Sequence, residues 1–149
     1  MTPSTTARTA IVPCAACAKL NRVDLDRLDA KASCGVCHAP LVLDAPLVLT
    51  DATFDKVVSN SSVPVLVDFY ADWCGPCRAM APVFAEFARR QSGRVLVVKV
   101  DTDRSPTVAS RFAIRSIPTL AVLRDGHEVA RQVGAASLAV LEQLVQRAG

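Results

Sequence analysis

Two thiols that could form a reversible disulfide lie near the middle of this 149-residue chain. Cys74 and Cys77 are separated by a glycine and a proline, and Trp73 precedes them. The apolar, β-branched run at 63–70 comes shortly before and is typical of a buried strand. The Cys-x-x-Cys spacing alone would be weak evidence. Its position between a strand and a helix strengthens it and indicates a redox-active dithiol.

The two sulfurs are predicted to have different roles. A helix that begins at Cys74 directs its unpaired N–H groups at that sulfur and favours the thiolate, so Cys74 is the predicted nucleophile. Cys77 lies one turn further along, where we expect it to be more buried, and it can attack a mixed disulfide formed at Cys74. Pro76 falls in the first turn, where its missing N–H removes no intrahelical hydrogen bond. An inert structural disulfide is the alternative.

These residues resemble the active site of the thioredoxin family, and the resemblance covers residues 46–149. Asp68 precedes Cys74 by six positions, as the family's buried acid does. Lys99 lies in an apolar run where thioredoxins place a lysine that approaches this acid. The segment 114–119 resembles the family's cis-proline loop. Several separated motifs in the same order make the resemblance specific.

Asp68 is predicted to act in catalysis as the proton acceptor for Cys77. Burial of a carboxylate in an apolar strand raises its pKa, and a raised pKa suits proton transfer near neutral pH. The position of Asp68 in the family pattern favours the same role. A structural aspartate paired with Lys99 is the alternative interpretation, and the two roles are compatible.

The resemblance also implies a substrate-binding surface around the dithiol. Its predicted members are Trp73, Gly75, Pro76, Ile117 and Pro118. A cis proline in this loop would present backbone groups to an extended substrate strand, as in strand addition. Simple packing of the tryptophan and an ordinary turn at 117–118 are the alternatives.

Strand and helix signals alternate after residue 46. Hydrophobic runs and turn residues predict strands at 47–50, 63–71, 94–100, 119–123 and 128–133. Capping residues, prolines and amphipathic spacing predict helices at 51–59, 74–91, 105–112 and from Ser137 onward. The predicted N-caps include Thr50 or Asp51, Ser105 and Ser137, and the Asp125-Gly126 dipeptide predicts a tight hairpin turn. This order predicts an α/β protein with helices on both faces of a mixed sheet. The resemblance narrows the prediction to a thioredoxin fold, whose five-stranded sheet has one antiparallel strand, with Cys74 at the carboxyl ends of the strands.

Four further cysteines form two Cys-x-x-Cys pairs near the N-terminus. They are Cys14, Cys17, Cys34 and Cys37, with sixteen residues between the pairs. This spacing is typical of a zinc site, and four thiolates can enclose the ion tetrahedrally with no open position. We therefore predict one structural zinc per chain. It would be held by a zinc-ribbon segment at 1–45, too short to fold on its own core, ahead of a thioredoxin domain at 46–149.

Other interpretations of these cysteines stay open. Two disulfides or four free thiols are the alternatives, and His38 could replace one cysteine as a ligand. Cys34, Cys37 and His38 also match the haem-attachment pattern, but the upstream pair at zinc spacing explains the same cysteines. The two-pair arrangement closely resembles a bacterial class of thioredoxins with an N-terminal zinc ribbon, often called thioredoxin-2.

Composition and charge limit the partners and the location that we expect for this chain. Hydrophobic residues make up 51% of the chain, and the net charge is +3 with basic residues scattered along it. A core can therefore form, and no nucleic-acid partner is expected. No apolar run approaches the roughly 18 residues of a membrane helix, and the short run after Arg8 is a weak imitation of a signal peptide. We expect a soluble, cytoplasmic protein with no membrane partner.

The resemblance implies a thiol-disulfide oxidoreductase that reduces disulfides in protein substrates and serves cytosolic redox homeostasis. Its electron donor would be thioredoxin reductase, an NADPH-dependent flavoenzyme, and the chain itself would need no organic cofactor. The reducing direction is carried over from the family, since the Gly-Pro dipeptide resembles reducing members. The alternatives are an exported disulfide oxidase or isomerase, and a zinc-ribbon adaptor whose thioredoxin scaffold is not catalytic.

Overall fold

The computed structural model describes residues 8–27 and 32–148. At the N-terminal end, strands β1 (Thr9–Pro13) and β2 (Leu20–Asp24) pair as an antiparallel hairpin. The first strand contains the apolar run that follows Arg8, and its Ala10 and Val12 side chains are buried. This run is therefore a strand of a folded hairpin whose alternate side chains enter a core.

A mixed sheet forms the main part of the structure. Its strands are β3 (Leu47–Leu49), β4 (Val65–Tyr70), β5 (Leu96–Asp101), β6 (Thr119–Arg124) and β7 (His127–Val133). They lie in the order β3-β5-β4-β6-β7, with β5 parallel to both β3 and β4. Strand β6 is antiparallel to its neighbours β4 and β7. Within the described residues, the predicted five-stranded mixed sheet with one antiparallel strand is confirmed.

Helices cover both faces of this sheet. They are α1 (Phe54–Val58), α2 (Gly75–Arg90), α3 (Pro106–Arg111) and α4 (Leu138–Ala148). One buried cluster contains residues of α1 and α3, and a second contains residues of α2 and α4. Of the helices in the described part of the chain, none combines the length and the apolar character needed to cross a membrane.

Strand β4 contributes alternately to the two buried clusters. Val65 and Val67 pack with α1, whereas Leu66 packs with α2. Successive strand residues point to opposite faces of a sheet, so Asp68 and Tyr70 leave the sheet on the same face as Leu66. The strand therefore directs both polar side chains toward the face that α2 covers.

The N-terminal hairpin packs on the sheet face that carries α1 and α3. The buried residues of that cluster include Ala10, Val12 and Val23 of the hairpin and Leu25, which directly follows β2. The N–H of Thr9 donates to Ser62 Oγ at 2.8 Å, and the N–H of Ser62 donates to Thr9 O at 2.9 Å. Arg8 Nη1 donates to Gly93 O at 3.1 Å. The predicted boundary at 45/46 stays a prediction, and the segments on its two sides share one core.

Helix α1 begins later than the predicted start at residue 51. The N–H of Phe54 donates to Thr50 O at 2.9 Å, so a turn occupies the preceding residues. The carboxylate of Asp51 instead accepts the N–H groups of Thr107 and Val108 at 3.2 and 2.9 Å. Asp51 therefore caps α3, a helix more than fifty residues away, rather than the helix that follows it.

The other capping and turn predictions have mixed outcomes. Ser105 precedes α3, but its side chain makes no capping bond and its Oγ lacks a partner among the described residues, since Asp51 supplies the cap. Ser137 Oγ accepts a hydrogen bond from the first turn of α4 at 3.3 Å, as predicted. The turn at 125–126 has positive φ at both residues, 52° and 80°, which the Asp-Gly dipeptide predicted.

Candidate active site and metal centre

The dithiol lies at the N-terminus of α2, beyond the carboxyl end of β4. Cys74 and Cys77 are joined by a disulfide, with Cα atoms 5.2 Å apart. Cys74 is the N-cap of α2, and its Sγ accepts the N–H of Cys77 at 3.2 Å. Pro76 stands in the first turn, where no intrahelical donor is lost. The helix start therefore aims an N–H donor at the Cys74 sulfur, which favours negative charge on that sulfur.

Exposure does not distinguish the two cysteines. Both are 4% exposed, so the prediction that Cys77 is the more buried was wrong for the disulfide form. One reason is that the loop before β6 lies against the first sulfur: Ile117 O is 3.8 Å from Cys74 Sγ. The two residues differ instead in their neighbours, because Cys77 also lines a partly open cavity.

The loop before β6 presents backbone groups beside Cys74. The Ile117–Pro118 peptide bond is cis, and Pro118 is buried. Pro118 O accepts the N–H of Gly134 at 2.8 Å. Within residues 8–27 and 32–148, the N–H of Ile117 donates to no acceptor. This donor is therefore available to a chain bound over the dithiol.

Trp73 and Gly75 form the outer surface of the site. Trp73 is 67% exposed, and its Nε1 donates to Asp103 Oδ2 at 2.7 Å. The N–H of Asp103 in turn donates to Asp101 Oδ1 at 2.9 Å. Sequence reasoning missed Asp103, because its contact depends on how the segment after β5 folds. A Cβ atom on Gly75 would meet nothing within 4 Å, so the surface is open at Gly75, next to Cys74.

Asp68 is buried on the face of β4 that α2 covers. The residue is 1% exposed, and its Oδ1 has no hydrogen-bond partner among the described residues. Burial raises the pKa of Asp68 to about 7, against the opposing attraction of the Lys99 ammonium. Near neutral pH the carboxyl is therefore partly ionised and suited to exchanging a proton.

Lys99 forms no ion pair with Asp68 in the described part of the chain. The two residues are nevertheless register partners on β5 and β4. The Lys99 Nζ lies 4.3 Å from the centroid of the Tyr70 ring. Tyr70, Lys99 and Cys77 line one partly open cavity of about 130 Å³. A structural Asp68–Lys99 pair is therefore not the arrangement observed.

The four N-terminal cysteines bring their sulfurs together. All four Sγ atoms lie within 4.8 Å of one another, and none of these cysteines is in a disulfide. The Cys14–Cys37 and Cys17–Cys34 sulfur pairs are each 3.6 Å apart. Four sulfurs at about 2.3 Å from one tetrahedral ion are about 3.8 Å from each other. The cluster therefore fits a metal ion bound by four thiolates.

The two cysteine pairs lie on turns of the same design. The N–H of Ala18 donates to Cys14 O at 2.8 Å, and the N–H of His38 donates to Cys34 O at 3.0 Å. The φ angles of Ala18 and His38 are 66° and 64°. His38 thus occupies the left-handed position that an alanine fills in the other turn, and the clustered ligand atoms of the described residues do not include its ring. The turn therefore explains the Cys-x-x-Cys-His match to the haem-attachment pattern, because His38 fills its left-handed position.

Asn21 on β2 supports the second turn. Its Oδ1 accepts the N–H of Gly35 at 3.0 Å, and its Nδ2 donates to Cys34 Sγ at 3.5 Å. Sequence reasoning missed this residue, because a lone asparagine in a short strand carries no spacing signal. Asn21 fixes the orientation of a sulfur that would bind metal, as outer-shell hydrogen bonds do at metal sites.

The crowding of the four thiols supplies an electrostatic reason for a cation. Backbone N–H groups of Cys37 and Val36 lower the pKa of Cys34 to about 6. For Cys17, the N–H of Lys19 lowers the pKa, but desolvation and the neighbouring sulfurs outweigh it and raise the pKa to about 12. The Cys34 thiol thus loses its proton easily, whereas the Cys17 thiol holds its proton more tightly. A bound metal ion would allow all four thiolates to coexist.

Comparisons with known proteins agree with both parts of this geometry. The family model described as Thioredoxin matches residues 45–147, and the zinc-ribbon model described as Thioredoxin 2, N-terminal, matches residues 13–39. Thioredoxin C-3 of Corynebacterium nephridii is 42% identical over 133 residues, which are 89% of this chain and 91% of that protein. Thioredoxin 1 of a Nostoc species is 49% identical over 105 residues, 70% of this chain and 98% of that protein.

A third relative supports the same assignment. Thioredoxin 1 of Synechococcus elongatus is 59% identical over 87 residues, which are 58% of this chain and 81% of that protein. The longer family match encloses the Cys74–Cys77 disulfide, and the shorter one encloses the four clustered cysteines. The chain therefore belongs to the thioredoxin family, as a thioredoxin-type disulfide oxidoreductase with an N-terminal zinc ribbon.

Proposed function

We propose that this chain reduces disulfide bonds in other proteins of the cytosol, with Cys74 and Cys77 as its electron-carrying pair. The observation that carries the proposal is the disulfide at the N-terminus of α2, where the N–H of Cys77 donates to the Cys74 sulfur. A helix start stabilises negative charge on that sulfur, and the thiolate is the form that attacks disulfides.

In the first step, the Cys74 thiolate attacks one sulfur of a substrate disulfide. A bond forms between the two sulfurs as the substrate S–S bond breaks, and the departing substrate thiolate takes up a proton. The substrate docks as an extended segment over a surface formed by Trp73, Gly75, Pro76, Ile117 and Pro118. The open space above Gly75 and the available N–H of Ile117 support this docking mode.

In the second step, the Asp68 carboxylate accepts the proton of the Cys77 thiol, and the new thiolate attacks the Cys74 sulfur. The Cys74–Cys77 bond forms, the mixed disulfide breaks, and the second substrate thiolate leaves and is protonated. Two electrons have then passed from the dithiol to the substrate. The pKa of Asp68, raised by burial to about 7, supports this role because proton transfer is most efficient near the working pH.

We propose that an NADPH-dependent thioredoxin reductase returns two electrons to the Cys74–Cys77 disulfide, and that two protons from solvent complete the dithiol. The redox change resides in the chain's own sulfurs, so neither step uses an organic cofactor. The cytosol suits this cycle because it keeps thiols reduced, including those of the ribbon.

We propose that the ribbon metal is zinc, one ion per chain, bound by Cys14, Cys17, Cys34 and Cys37. Four thiolates in a tetrahedron are a preferred ligand set of zinc, and the absence of an open ligand position makes such a site structural. When bound, the ion supplies the positive charge that holds the four sulfurs as thiolates. The packing of β1 and β2 into the core of the α1 face supports a stabilising role for the ribbon.

Reduction of insulin disulfides, with NADPH and a thioredoxin reductase as the electron source, tests the proposed reaction. We expect NADPH consumption that depends on this chain, and no acceleration of disulfide formation in a reduced, unfolded protein. A reduction potential of about −120 mV, the level of a strong disulfide oxidant, would contradict the reducing direction; thioredoxins as a family have potentials of about −270 mV.

Metal analysis of the same preparation tests the ribbon assignment. Protein purified under reducing conditions without added metal should contain one zinc per chain. Protein with intact, reduced ribbon thiols and no zinc, or with iron in its place, would overturn this part of the proposal.

A further inference from the structure

Lys99 contacts the ring of Tyr70 although a buried carboxyl lies on the neighbouring strand. Its Nζ is 4.3 Å from the ring centroid. Asp68 is the register partner of Lys99, yet the described residues show no ion pair between them. An ionised, desolvated carboxylate attracts a nearby ammonium strongly. The aromatic ring therefore competes with the carboxyl for this cation.

The strand register places both partners within reach of the ammonium. Tyr70 follows Asp68 by two residues on β4, so the two side chains leave the sheet on the same face. Lys99 lies beside them on β5. The cavity of about 130 Å³ that Tyr70, Lys99 and Cys77 line gives the flexible lysine side chain room to move.

We propose that Tyr70 is a positioning residue for proton transfer: its ring holds the Lys99 ammonium while the Asp68 carboxyl is protonated and releases it when the carboxyl ionises. This inference rests on the proposed function, in which Asp68 takes the proton of Cys77. Before the transfer, Lys99 lies beside the carboxylate. As the proton moves from the Cys77 sulfur to Asp68, the negative charge moves to that sulfur and the ammonium returns to the ring.

The order of these contacts follows from their relative strengths. An ammonium is attracted to the face of an aromatic ring by its quadrupole, and this attraction is weaker than that of a full negative charge at the same depth. The ring therefore holds Lys99 only while Asp68 is neutral. Burial raises the pKa of the Tyr70 hydroxyl, so the ring stays a neutral phenol. Without the ring, the Lys99 ammonium has no partner while Asp68 is neutral, so the neutral form of the carboxyl is less stable. The pKa of Asp68 then falls, and its carboxylate is a weaker base.

Other charges around the cavity largely offset one another. The charged groups that face Tyr70 or line the cavity, besides Asp68 and Lys99, are Asp101 on β5, Asp72 and Arg104 on loops, and Arg78 on α2. The Arg104 guanidinium lies 3.4 Å from one of these carboxylates and 3.8 Å from the other. Lys99 is the cation that lowers the pKa of Asp68 against the effect of burial. Burial sets the main part of the proton affinity of the carboxyl, and the position of Lys99 adjusts it.

Carbon-13 NMR of the aspartate carboxyls in the oxidised protein tests this role, because Cys74 and Cys77 do not titrate as a disulfide. Tyr70→Leu is expected to lower the titration midpoint of Asp68 by about one pH unit, as a cation held near a carboxylate does. Tyr70→Phe keeps the ring face and should titrate as the wild type does. With Lys99→Met already present, Tyr70→Leu should have no further effect.

Three results would overturn the inference. The first is an unchanged midpoint in Tyr70→Leu, and the second is an equal drop in Tyr70→Phe. The third is a drop that persists beside Lys99→Met, because the ring would then act without the ammonium. If Tyr70→Leu is too unstable to titrate, Tyr70→Met removes the ring with a long, adaptable side chain and carries the same expectations.

The decay rate of a mixed disulfide at Cys74 separates this inference from the proposed function. If Asp68→Asn resolves the mixed disulfide as fast as the wild type, the proton-acceptor role fails even where the NMR midpoints respond to Tyr70. If Asp68→Asn resolves it slowly while the midpoint ignores Tyr70, the proposed function stands and the positioning role of Tyr70 fails.

Discussion

The N–H of Cys77 donates a hydrogen bond to the sulfur of Cys74 at 3.2 Å, across the first turn of α2. This N–H has no acceptor within the helix, and it lies at the positive end of the helix dipole. The bond stabilises negative charge on the first sulfur and is made by the residue that carries the second. The two cysteines are therefore unequal in chemistry although they are equally exposed.

The first prediction concerns the acidity of Cys74. In reduced protein carrying Cys77→Ser, we expect the Cys74 thiol to have an apparent pKa below the free-cysteine value of about 8.5, because the helix start favours its thiolate. The rate of iodoacetamide alkylation as a function of pH measures this pKa. The same chain in urea is the control, and an equal pKa in the folded and unfolded chain would show that α2 does not activate the sulfur.

The second prediction concerns stability and pH at Asp68. Its pKa rises from 3.8 to about 7 on folding, so the folded state binds more protons than the unfolded state between these values. The contribution of this carboxyl to the free energy of unfolding therefore decreases as the pH rises through that window. It does not recover at higher pH. We expect Asp68→Asn to stabilise the oxidised protein by up to about 4 kcal/mol near pH 8 and by almost nothing near pH 3.5.

Urea unfolding of both proteins at the two pH values measures this difference. Lys99→Met is a matched control, because loss of the opposing cation should leave the effect of burial in place. An equal gain for Asp68→Asn at low and high pH would mean that the carboxyl does not titrate between them.

The third prediction concerns the metal and the shared core. Removal of the metal by a chelator, or by Cys37→Ala, should lower the unfolding free energy of the whole chain, because the ribbon strands pack into the cluster that contains α1 and α3. Thermal unfolding of metal-loaded and metal-free protein measures the loss. An unchanged unfolding temperature after complete metal removal would show that the ribbon does not stabilise the thioredoxin domain.

His38→Ala is the matched control for this experiment. An alanine already occupies the equivalent position in the first turn, where Ala18 has nearly the same φ. The variant should therefore keep its metal and its unfolding temperature, whereas metal loss would restore the histidine as a candidate ligand.

The fourth prediction concerns the cap of α3. Asp51→Ala should destabilise the protein by about 1–2 kcal/mol, because the N–H groups of Thr107 and Val108 lose their acceptor. Asp51→Asn keeps an oxygen acceptor and should lose less. Urea unfolding compares the two variants, and equal stability would exclude a capping role for this side chain.

Sequence reasoning reached the elements that local chemistry dictates. The run at 63–70 predicts a buried strand, the 125–126 dipeptide predicts a tight hairpin, and Ser137 predicts a helix start; each is present within about two residues of its expected bounds. The spacing of the cysteines likewise predicts one redox pair and one four-sulfur cluster. The redox pair depends on two residues close in sequence, and the cluster depends on two turns of the same design.

Features that depend on distant parts of the chain were not predictable from the sequence. The pattern around Asp51 fits a cap for the helix that follows it, whereas in the folded chain its carboxylate accepts N–H groups of α3, more than fifty residues away. Two other contacts also depend on the register of the sheet and the path of its loops. Lys99 contacts the ring of Tyr70, and Trp73 donates to Asp103. The equal burial of Cys74 and Cys77 follows from a loop of another strand, so helix position alone gave the wrong order.

Trapping of the substrate adduct tests most directly the claim that Cys74 attacks first and Cys77 resolves. Cys77→Ser protein is mixed with a disulfide-containing protein, separated on a non-reducing gel, and digested to identify the linked cysteine by mass spectrometry. We expect a stable mixed disulfide at Cys74, and no adduct when Cys74→Ser is treated in the same way. An adduct of equal yield at Cys77 in the Cys74→Ser protein, or one carried by a ribbon cysteine, would contradict the assignment.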